Sequence, residues 1–294
     1  MTYRAVCLTS AIALTASAAS ADMNFNRIAS FPVVMNMAEG EDRSRESSPE
    51  IIDVTADGMT LVYTDSPLGA LGRIDIANPS DPRPLGNIDL GGEPTSVVVI
   101  GKTAFVGVNT SESYTAPSGM VKAIDVASGN ELGMCDIGGQ PDSLAKAPDS
   151  SFIAIAIENE RDEDLNDGLI PQLPAGNLVM IDVAEQSLNC DSMIVADLTG
   201  LADVAPSDPE PEYVHINSLG ETVVTLQENN HMVVVARDGS IVNHFSAGAV
   251  DLENIDATDE RGALIFTESQ PGRLREPDAV TWIDDQHFAT ANEG

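Results

Sequence analysis

A short motif recurs five times along the chain and constrains its fold more than any other feature. In each copy a proline beside an acidic or amide residue opens a short apolar segment, at Pro49, Pro94, Pro141, Pro211 and Pro277. A second apolar segment follows and ends in an acid or amide 16, 15, 17, 17 and 15 residues after its proline. Such regular spacing indicates a structural repeat in which each unit places polar side chains at an equivalent position.

The repeats predict an all-β fold, a β-propeller of four-stranded blades. The prolines recur at intervals of 45, 47, 70 and 66 residues, and periods near about 40–50 residues with several short strands per unit are typical of blades. Asp57-Gly58, Ser128-Gly129 and Asp238-Gly239 are typical hairpin turns. We therefore assign residues 45–294 to the blades, with insertions at 158–175 and 251–274.

The pattern predicts four complete blades and the first half of a fifth, which do not close a circle. An open sheet edge is a liability that natural β-proteins avoid. We therefore expect the sequence to be C-terminally truncated. The N-terminal segment 22–44 would contribute an outer strand over residues 25–36 to the last blade.

Residues 1–21 have the composition of a secretory signal peptide. Arg4 supplies a positive start, residues 5–14 are largely apolar, and Ala-Ser-Ala at 19–21 is a cleavage site of small residues. The apolar run is too short for a transmembrane helix, which needs about 20 residues. We expect an exported protein, periplasmic or extracellular, with no membrane span in the mature chain.

A formal net charge of −33 limits the partners that the protein can bind. Nucleic acids and anionic membranes need a basic face, because binding them depends on counterion release. The acidity has two explanations that the sequence leaves open: solubility in a salty medium or capture of cations. We expect a monomer that binds a small-molecule ester or phosphoester.

Two cysteines, Cys135 and Cys190, remain after the predicted signal peptide. Both follow an Ile-Asp-Val segment by a few residues, so they would lie on equivalent strands of neighbouring repeats. An even number of cysteines in an oxidising compartment favours a disulfide. Two unpaired thiols are the alternative.

The acids of the repeat predict a ring of oxygen ligands. In a four-stranded blade the first strand begins at the face where the second strand ends, and the first strands line the central channel. Carboxylate and amide oxygens are the ligands that calcium prefers, so we predict calcium as a cofactor. The predicted metal ligands are Glu93, Asp142, Glu158, Glu160, Glu212, Glu228, Asn229, Glu276, Asp278 and Glu293. The alternative is that these prolines and acids only form turns in an acidic protein.

Residues 158–168 form the densest acidic cluster of the sequence. They resemble a calcium-binding loop but lack the ligand spacing of an EF-hand, so a solvated lid is the alternative. Arg161 and Arg275 are rare cations beside the predicted ring, and each would hold a phosphate or carboxylate, unless it merely balances charge. No Gly-x-Ser-x-Gly motif is present, which argues against a serine hydrolase of that type.

The segments GEPTSVVV, GGQPDSLA, IENERDEDLNDG, DPEPEYV, TLQENN, REPDAVTW and TANEG together resemble a known family. The chain is similar over about residues 45–294 to bacterial secreted proteins with "esterase-like activity of phytase", which are alkaline phosphatase-like. That family shares its propeller with choice-of-anchor and YVTN-type repeat proteins. The family pattern continues past ANEG with a glycine-rich acidic stretch that this sequence lacks.

The resemblance implies an exported, metal-assisted phosphoester hydrolase. In this hypothesis Glu158, Glu160, Glu212 and Glu228 ligate the metal or act as the base, and Arg161 or Arg275 holds the phosphate. One alternative is a lactonase or carboxylesterase on the same scaffold. The other is a propeller of the cell envelope that binds a partner without catalysis.

Overall fold

The chain folds into successive antiparallel β-sheets whose strands are ordered as in the sequence. The computed structural model describes residues 26–162, 164–184, 187–258 and 264–293. The predicted signal peptide therefore lies outside the described residues.

The first four sheets each have four strands and form blades 1 to 4. Blade 1 contains β1 (Pro49–Val54), β2 (Thr60–Asp65), β3 (Ala70–Asp75) and β4 (Arg83–Asp89). Blade 2 contains β5 (Glu93–Ile100), β6 (Thr103–Asn109), β7 (Gly119–Asp125) and β8 (Glu131–Asp136). Blade 3 contains β9 (Pro141–Lys146), β10 (Phe152–Ile157), β11 (Asn177–Ala184) and β12 (Ser187–Asp197). Blade 4 contains β13 (Pro211–Ile216), β14 (Thr222–Leu226), β15 (His231–Val235) and β16 (Ile241–Ser246).

Two hairpins follow blade 4. The first pairs β17 (Ala249–Ile255) with β18 (Glu268–Leu274), and the second pairs β19 (Pro277–Trp282) with β20 (Phe288–Asn292). The second hairpin repeats the first two strands of a blade, since Pro277 opposes Asn292 as Pro49 opposes Asp65.

The first strands of neighbouring sheets contact one another and define the axis of the molecule. β1 contacts β5, β5 contacts β9, β9 contacts β13, and β13 contacts β19. Radially arranged four-stranded sheets with their first strands innermost are the architecture of a β-propeller. The predicted fold class is confirmed.

The apolar core lies between the blades. One buried cluster joins Phe105 of β6 to Ile155 of β10 and Val179 of β11, and another joins Ala156 of β10 to Leu226 of β14. Middle strands such as β10, Phe152–Ile157, are buried along their whole length because a neighbouring blade covers each face. Fully burying one such aliphatic side chain contributes about 1.5–3 kcal/mol, which explains why these strands are continuous apolar runs.

The motif prolines pack against glycines at the start of the preceding blade's third strand. A Cβ added to Gly119 would lie 2.5 Å from Cδ of Pro141, and one added to Gly176 would lie 2.4 Å from Cδ of Pro211. The close approach therefore requires glycine at both positions.

The N-terminal segment does not form the expected outer strand in its described part. Residues 26–32 are irregular, and Val33–Asn36 is a 3₁₀ turn. Asn36 donates a hydrogen bond from Nδ2 to the hydroxyl of Tyr63 (2.9 Å) and accepts one at Oδ1 from the backbone of Gly86 (3.1 Å). These contacts fix the segment on β3 and β4 of blade 1 instead. Phe25, the first residue of the expected strand, lies outside the described residues.

Candidate functional site: an acidic mouth

The recurring prolines and polar tails meet at one end of the blades. Pro49 opposes Asp65, Glu93 opposes Asn109, and Pro277 opposes Asn292 in the registers of the first and second strands. The first strands surround the axis, so the residue after each proline stands at the rim of the central channel. This residue is acidic in blades 1, 3 and 4 and in β19, as Glu50, Asp142, Glu212 and Asp278.

A cleft of about 660 Å³ opens at this end, between blades 3 and 4 and the insertion that follows β10. The described residues that line it are Tyr114, Glu158, Glu160, Arg161, Asp162, Asp164, Gly168, Ile170, Gln172, Glu210, Glu212 and Glu228. Seven of these side chains are carboxylic acids and one is an arginine. We call this cleft the acidic mouth.

Two glutamates from different blades are in contact at the inner end of the acidic mouth. Glu158 follows the last residue of β10, and Glu212 is the second residue of β13. The carboxyl groups of Glu158 and Glu212 share a hydrogen bond. Burial raises the pKa of both groups above the usual range, and the charges of Asp142 and other nearby acids raise it further. The pair therefore retains a proton at a pH where exposed glutamates have lost theirs.

Asp142 extends the acidic mouth into the central channel. Burial raises its pKa to about 7, and the charges of Asp278, Glu160 and Glu50 act in the same direction. Glu50 and Asp278 belong to β1 and β19, so the electrostatic interaction reaches across the channel between different sheets. The structure thus places carboxyl groups from four first strands around one opening.

Arg161 belongs to a buried ion-pair network in which each of its guanidinium nitrogens has an acceptor. Its Nε donates to Oδ2 of Asp208 (3.0 Å), and its Nη1 lies 2.6 Å from Oε2 of Glu210. Its Nη2 donates to the backbone oxygen of Asp208 (2.7 Å), and its backbone N–H donates to Oε1 of Glu210 (2.9 Å). Burial nevertheless raises the pKa of Glu210 to about 7, although Arg161 favours its ionised form. Each guanidinium nitrogen of Arg161 already has an acceptor. That this residue holds a phosphate stays a prediction.

The same network anchors the insertion. The backbone N–H of Gln172 donates to Oδ2 of Asp208 (2.8 Å), and its side chain exchanges two hydrogen bonds of 2.9 Å with the backbone of Asp162. The two ends of the insertion are thereby tied to each other and to the loop before β13. The insertion is a fixed wall of the acidic mouth.

The amide of Asn229 is a structural clamp. It is 1% exposed, accepts a hydrogen bond from the backbone of Glu210 (2.9 Å), and donates to the carbonyls of Val204, Ala205 and Asp208. Its oxygen is bonded to the backbone of Glu210, and its role as a metal ligand stays a prediction. Asn159 does the same for Gln140 (2.9 Å).

Asp65 and Asn230 make the equivalent hydrogen bonds to the residues before Pro49 and Pro277. Asp65 accepts from the backbone of Ser48 (3.1 Å), and Asn230 accepts from the backbone of Glu276 (3.1 Å). In each case a polar residue at or just after the end of a second strand accepts a hydrogen bond from the backbone N–H of the residue before a motif proline. Part of the repeat thus has a structural explanation.

Four further predicted site residues lie away from the acidic mouth. Arg275 donates to the carbonyl of Ala247 (2.8 Å) at the base of the β17–β18 hairpin. Among the residues described as lining the cleft, none is Glu93, Glu276 or Glu293. Glu93 accepts from Asn109 (3.3 Å), Glu276 lies 3.5 Å from Arg273, and Glu293 accepts from Gln227. None of these four residues is among the described residues that line the acidic mouth, although the charge of Glu93, like that of Glu160, acts on Tyr114.

Cys135 and Cys190 form a disulfide with a Cα–Cα distance of 5.6 Å. Cys135 lies on β8 and Cys190 on β12, the outer strands of blades 2 and 3. The bond joins equivalent strands of neighbouring repeats.

The carboxylate oxygens of the acidic mouth are the type of ligand that a hard cation prefers. They are not arranged around a single ion position. Carboxylate oxygens are the ligands of calcium. Burial raises the pKa of Asp142, and repulsion from the neighbouring carboxylates adds to this effect. However, over the described ranges, no group of three or more His, Cys, Asp or Glu side chains is placed to hold a metal ion.

Three residues of the site were not predicted from the sequence. Asp208 and Gln172 anchor the insertion, and Tyr114 lines the cleft from the loop between β6 and β7. Asp208 is the first residue of the DPEPEYV segment that contains Pro211, which was a usable signal. Tyr114 and Gln172 stand in segments without periodicity, where the sequence gives no indication of a neighbour.

These features define a β-propeller with an acidic opening at the end of its channel. The chain belongs to the choice-of-anchor I domain family, whose model matches residues 50–294. This match confirms the choice-of-anchor part of the predicted resemblance. The phytase-like and alkaline phosphatase-like part of the resemblance is not confirmed. Comparison with curated proteins finds no match.

Solved structures with distant similarity include three with TM-scores below 0.5. Virginiamycin B lyase from Staphylococcus aureus is 10% identical, with 79% of this chain and 59% of that chain covered and a TM-score of 0.46. A putative 6-phosphogluconolactonase from Bacteroides fragilis is 15% identical, with 69% and 55% covered and a TM-score of 0.46. The β-propeller domain of Cps50 (Swd1) from Myceliophteria thermophila is 12% identical, with 69% and 56% covered and a TM-score of 0.47. The chain spans less than two thirds of the length of each of these structures.

Within the part of the chain that the structure describes, no helix has the length and apolar character to cross a membrane.

Proposed function

We propose that this protein is a secreted or cell-surface binding propeller whose acidic mouth takes up calcium. The observation that carries the proposal is the charge of the cleft: seven carboxylic side chains line it, and the one arginine among its described lining residues is already paired. Such a cleft attracts cations and repels anions. Membership of a choice-of-anchor family and the predicted signal peptide support the location.

The ligands we propose are Glu158, Glu212 and Asp142, with Glu160 and Glu228 at the outer side. Glu158 and Glu212 are already in contact, and the charges of Glu160 and Asp278 raise the pKa of Asp142. A bound calcium ion would supply the positive charge that these groups lack and would release the proton that they retain.

Isothermal titration calorimetry with CaCl₂ and with MgCl₂ tests this proposal. We expect binding of calcium with proton release, seen as a dependence of the heat on the ionisation enthalpy of the buffer. Glu212→Gln should weaken binding by about tenfold or more, since a carboxylate ligand is lost. Asp191→Asn is the matched control, because it removes the same charge from an exposed position on β12. Equal calcium affinity in Glu212→Gln and the wild type would contradict the proposed ligands.

Hydrolysis of phosphoesters or carboxyl esters is a second candidate, favoured by the carboxyl pair. The pair of Glu158 and Glu212 retains a proton, which a general acid requires. A phosphate would still need a bound cation, because the acidic mouth repels anions and Arg161 is engaged. Turnover of p-nitrophenyl phosphate, p-nitrophenyl acetate and a lactone with calcium or with chelator distinguishes these reactions from binding alone.

A further inference from the structure

The insertion after β10 exposes large apolar side chains at the rim of the acidic mouth. Leu169, Ile170 and Leu173 are 69%, 46% and 65% exposed, and Ile170 also lines the cleft. Tyr114, which is 48% exposed, lines the cleft from the loop after β6. We call Leu169, Ile170 and Leu173 the apolar crest. Grouped exposed apolar side chains beside a cleft mark an interaction surface.

The apolar crest is held in place by the buried network beneath it. Gln172, between Ile170 and Leu173, donates its backbone N–H to Asp208 and binds Asp162 through its side chain. Asp208 is in turn paired with Arg161. The apolar crest therefore lies on a segment that is hydrogen-bonded to the rest of the protein.

We propose that the apolar crest and the acidic mouth together dock a basic peptide segment of a partner protein. Lysine or arginine side chains of the peptide would enter the cleft among its seven carboxylic acids, and apolar side chains would pack on Leu169, Ile170 and Leu173. A volume of about 660 Å³ is large enough for several side chains. The inference rests on the proposed function in one respect: the same carboxylates attract the cationic groups.

Other occupants do not match both the acidic mouth and the apolar crest. A calcium ion or a polyamine makes no use of an apolar crest. An anionic membrane surface is repelled by the acids beside the crest. A second copy of this chain carries the same net charge of −33 and would place acid against acid.

Fluorescence anisotropy with three labelled dodecapeptides tests the proposal on the full chain in chelator and 150 mM salt, about physiological ionic strength. One peptide alternates lysine with leucine, the second has serine in place of leucine, and the third has glutamate in place of lysine. We expect the lysine–leucine peptide to bind about tenfold tighter than the lysine–serine peptide, as partial burial of several leucines would give. We expect no binding of the glutamate peptide.

The triple variant Leu169→Ser, Ile170→Ser, Leu173→Ser isolates the crest. It should bind the lysine–leucine peptide no better than the lysine–serine peptide, while Leu219→Ser, 68% exposed in the turn between β13 and β14, should bind like the wild type. All these positions are exposed, so the fold should persist, and circular dichroism checks this. Equal binding of the two lysine peptides, or unchanged binding by the triple variant, would overturn the proposal.

Calcium calorimetry on the triple variant separates this inference from the proposed function. We expect unchanged calcium affinity, because the crest provides no oxygen ligand. Calcium binding with no preference for the lysine–leucine peptide would overturn the docking site alone. Peptide binding without calcium binding would support the docking site and overturn the calcium proposal.

Discussion

The carboxyl groups of Glu158 and Glu212 share a hydrogen bond across the boundary between blades 3 and 4. Glu158 stands where the second strand of blade 3 ends, and Glu212 stands where the first strand of blade 4 begins. The repeat explains the contact, because these two positions recur at the same end of every blade. What the repeat does not explain is why both residues are acids, and this is the basis for assigning function here.

The acidic mouth should make the protein less stable as pH rises. Burial raises the folded-state pKa of Asp142 and Glu210 to about 7 and raises that of Glu158 and Glu212 further. The folded state therefore binds more protons than the unfolded state above about pH 4, and the contribution to stability is lost as pH passes the folded pKa values. We expect the urea midpoint in chelator to fall between pH 7 and pH 9.

The window above pH 7 avoids a contribution of opposite sign from histidine. Burial lowers the pKa of His215 and His231, so their contribution to stability is complete above about pH 6.5 and is lost only as pH falls. Glu158→Gln should flatten the decline above pH 7, and the exposed control Asp191→Asn should leave it unchanged. A midpoint that rises with pH in the wild type would contradict this assignment.

Replacing Arg161 should destabilise the fold strongly. Its side chain is 12% exposed, and those of Asp208 and Glu210 are 2% and 4% exposed, so Arg161→Ala leaves two buried carboxylates without a cationic partner. Breaking a buried ion pair in this way costs about 3–5 kcal/mol. Urea unfolding at pH 7 measures the effect.

An exposed ion pair gives the matched control for Arg161. Arg83 and Asp81 are 71% and 58% exposed, and Arg83→Ala should leave the free energy of unfolding nearly unchanged because solvent screens the pair. The Arg161→Ala variant should also be cleaved faster by protease within the insertion, because its anchor is lost. Similar stability of the two variants would show that the network is not structural.

The fold was largely predictable from the sequence because the strand repeat is a local signal. Pro49 and Pro141 begin strands, and the alternation of apolar segments and turns places the remaining strands within a few residues of their observed bounds. The expected outer strand at 25–36 failed in its described part because Asn36 finds hydrogen-bond partners on blade 1 instead. Hydrogen bonds between residues far apart in the chain produce no periodic pattern in the sequence.

The site was predictable only in part, for a physical reason. The sequence identifies which end of each blade the acids occupy, so Glu158 and Glu212 could be placed together. It cannot tell whether a polar side chain faces the channel or the backbone of its own blade. Asn229 and Arg161 were therefore assigned to ligand binding, although their partners are internal.

Asn229→Ala should lower stability without changing calcium affinity. The substitution leaves the buried N–H of Glu210 and the carbonyl of Val204 without their partner, while the carbonyls of Ala205 and Asp208 keep other donors. Each such group costs about 1–3 kcal/mol when it stays unsatisfied. Thermal unfolding should show the loss, and calorimetry on the folded variant should give a wild-type calcium affinity. The exposed Asn243→Ala variant is the control, and weaker calcium binding by Asn229→Ala alone would restore Asn229 as a ligand.

Removing the disulfide should loosen blades 2 and 3 relative to each other. Cys135 and Cys190 are separated by 55 residues, and closing a loop of that length restricts the unfolded chain by about 4 kcal/mol in the chain-entropy account. Cys135→Ala with Cys190→Ala should therefore lower the free energy of unfolding by several kcal/mol, measured in urea without reductant. Adding reductant to the wild type should produce the same midpoint, because the same constraint is lost. If the double variant keeps the wild-type midpoint, packing between the blades alone determines their stability, and the bond between β8 and β12 contributes nothing to it.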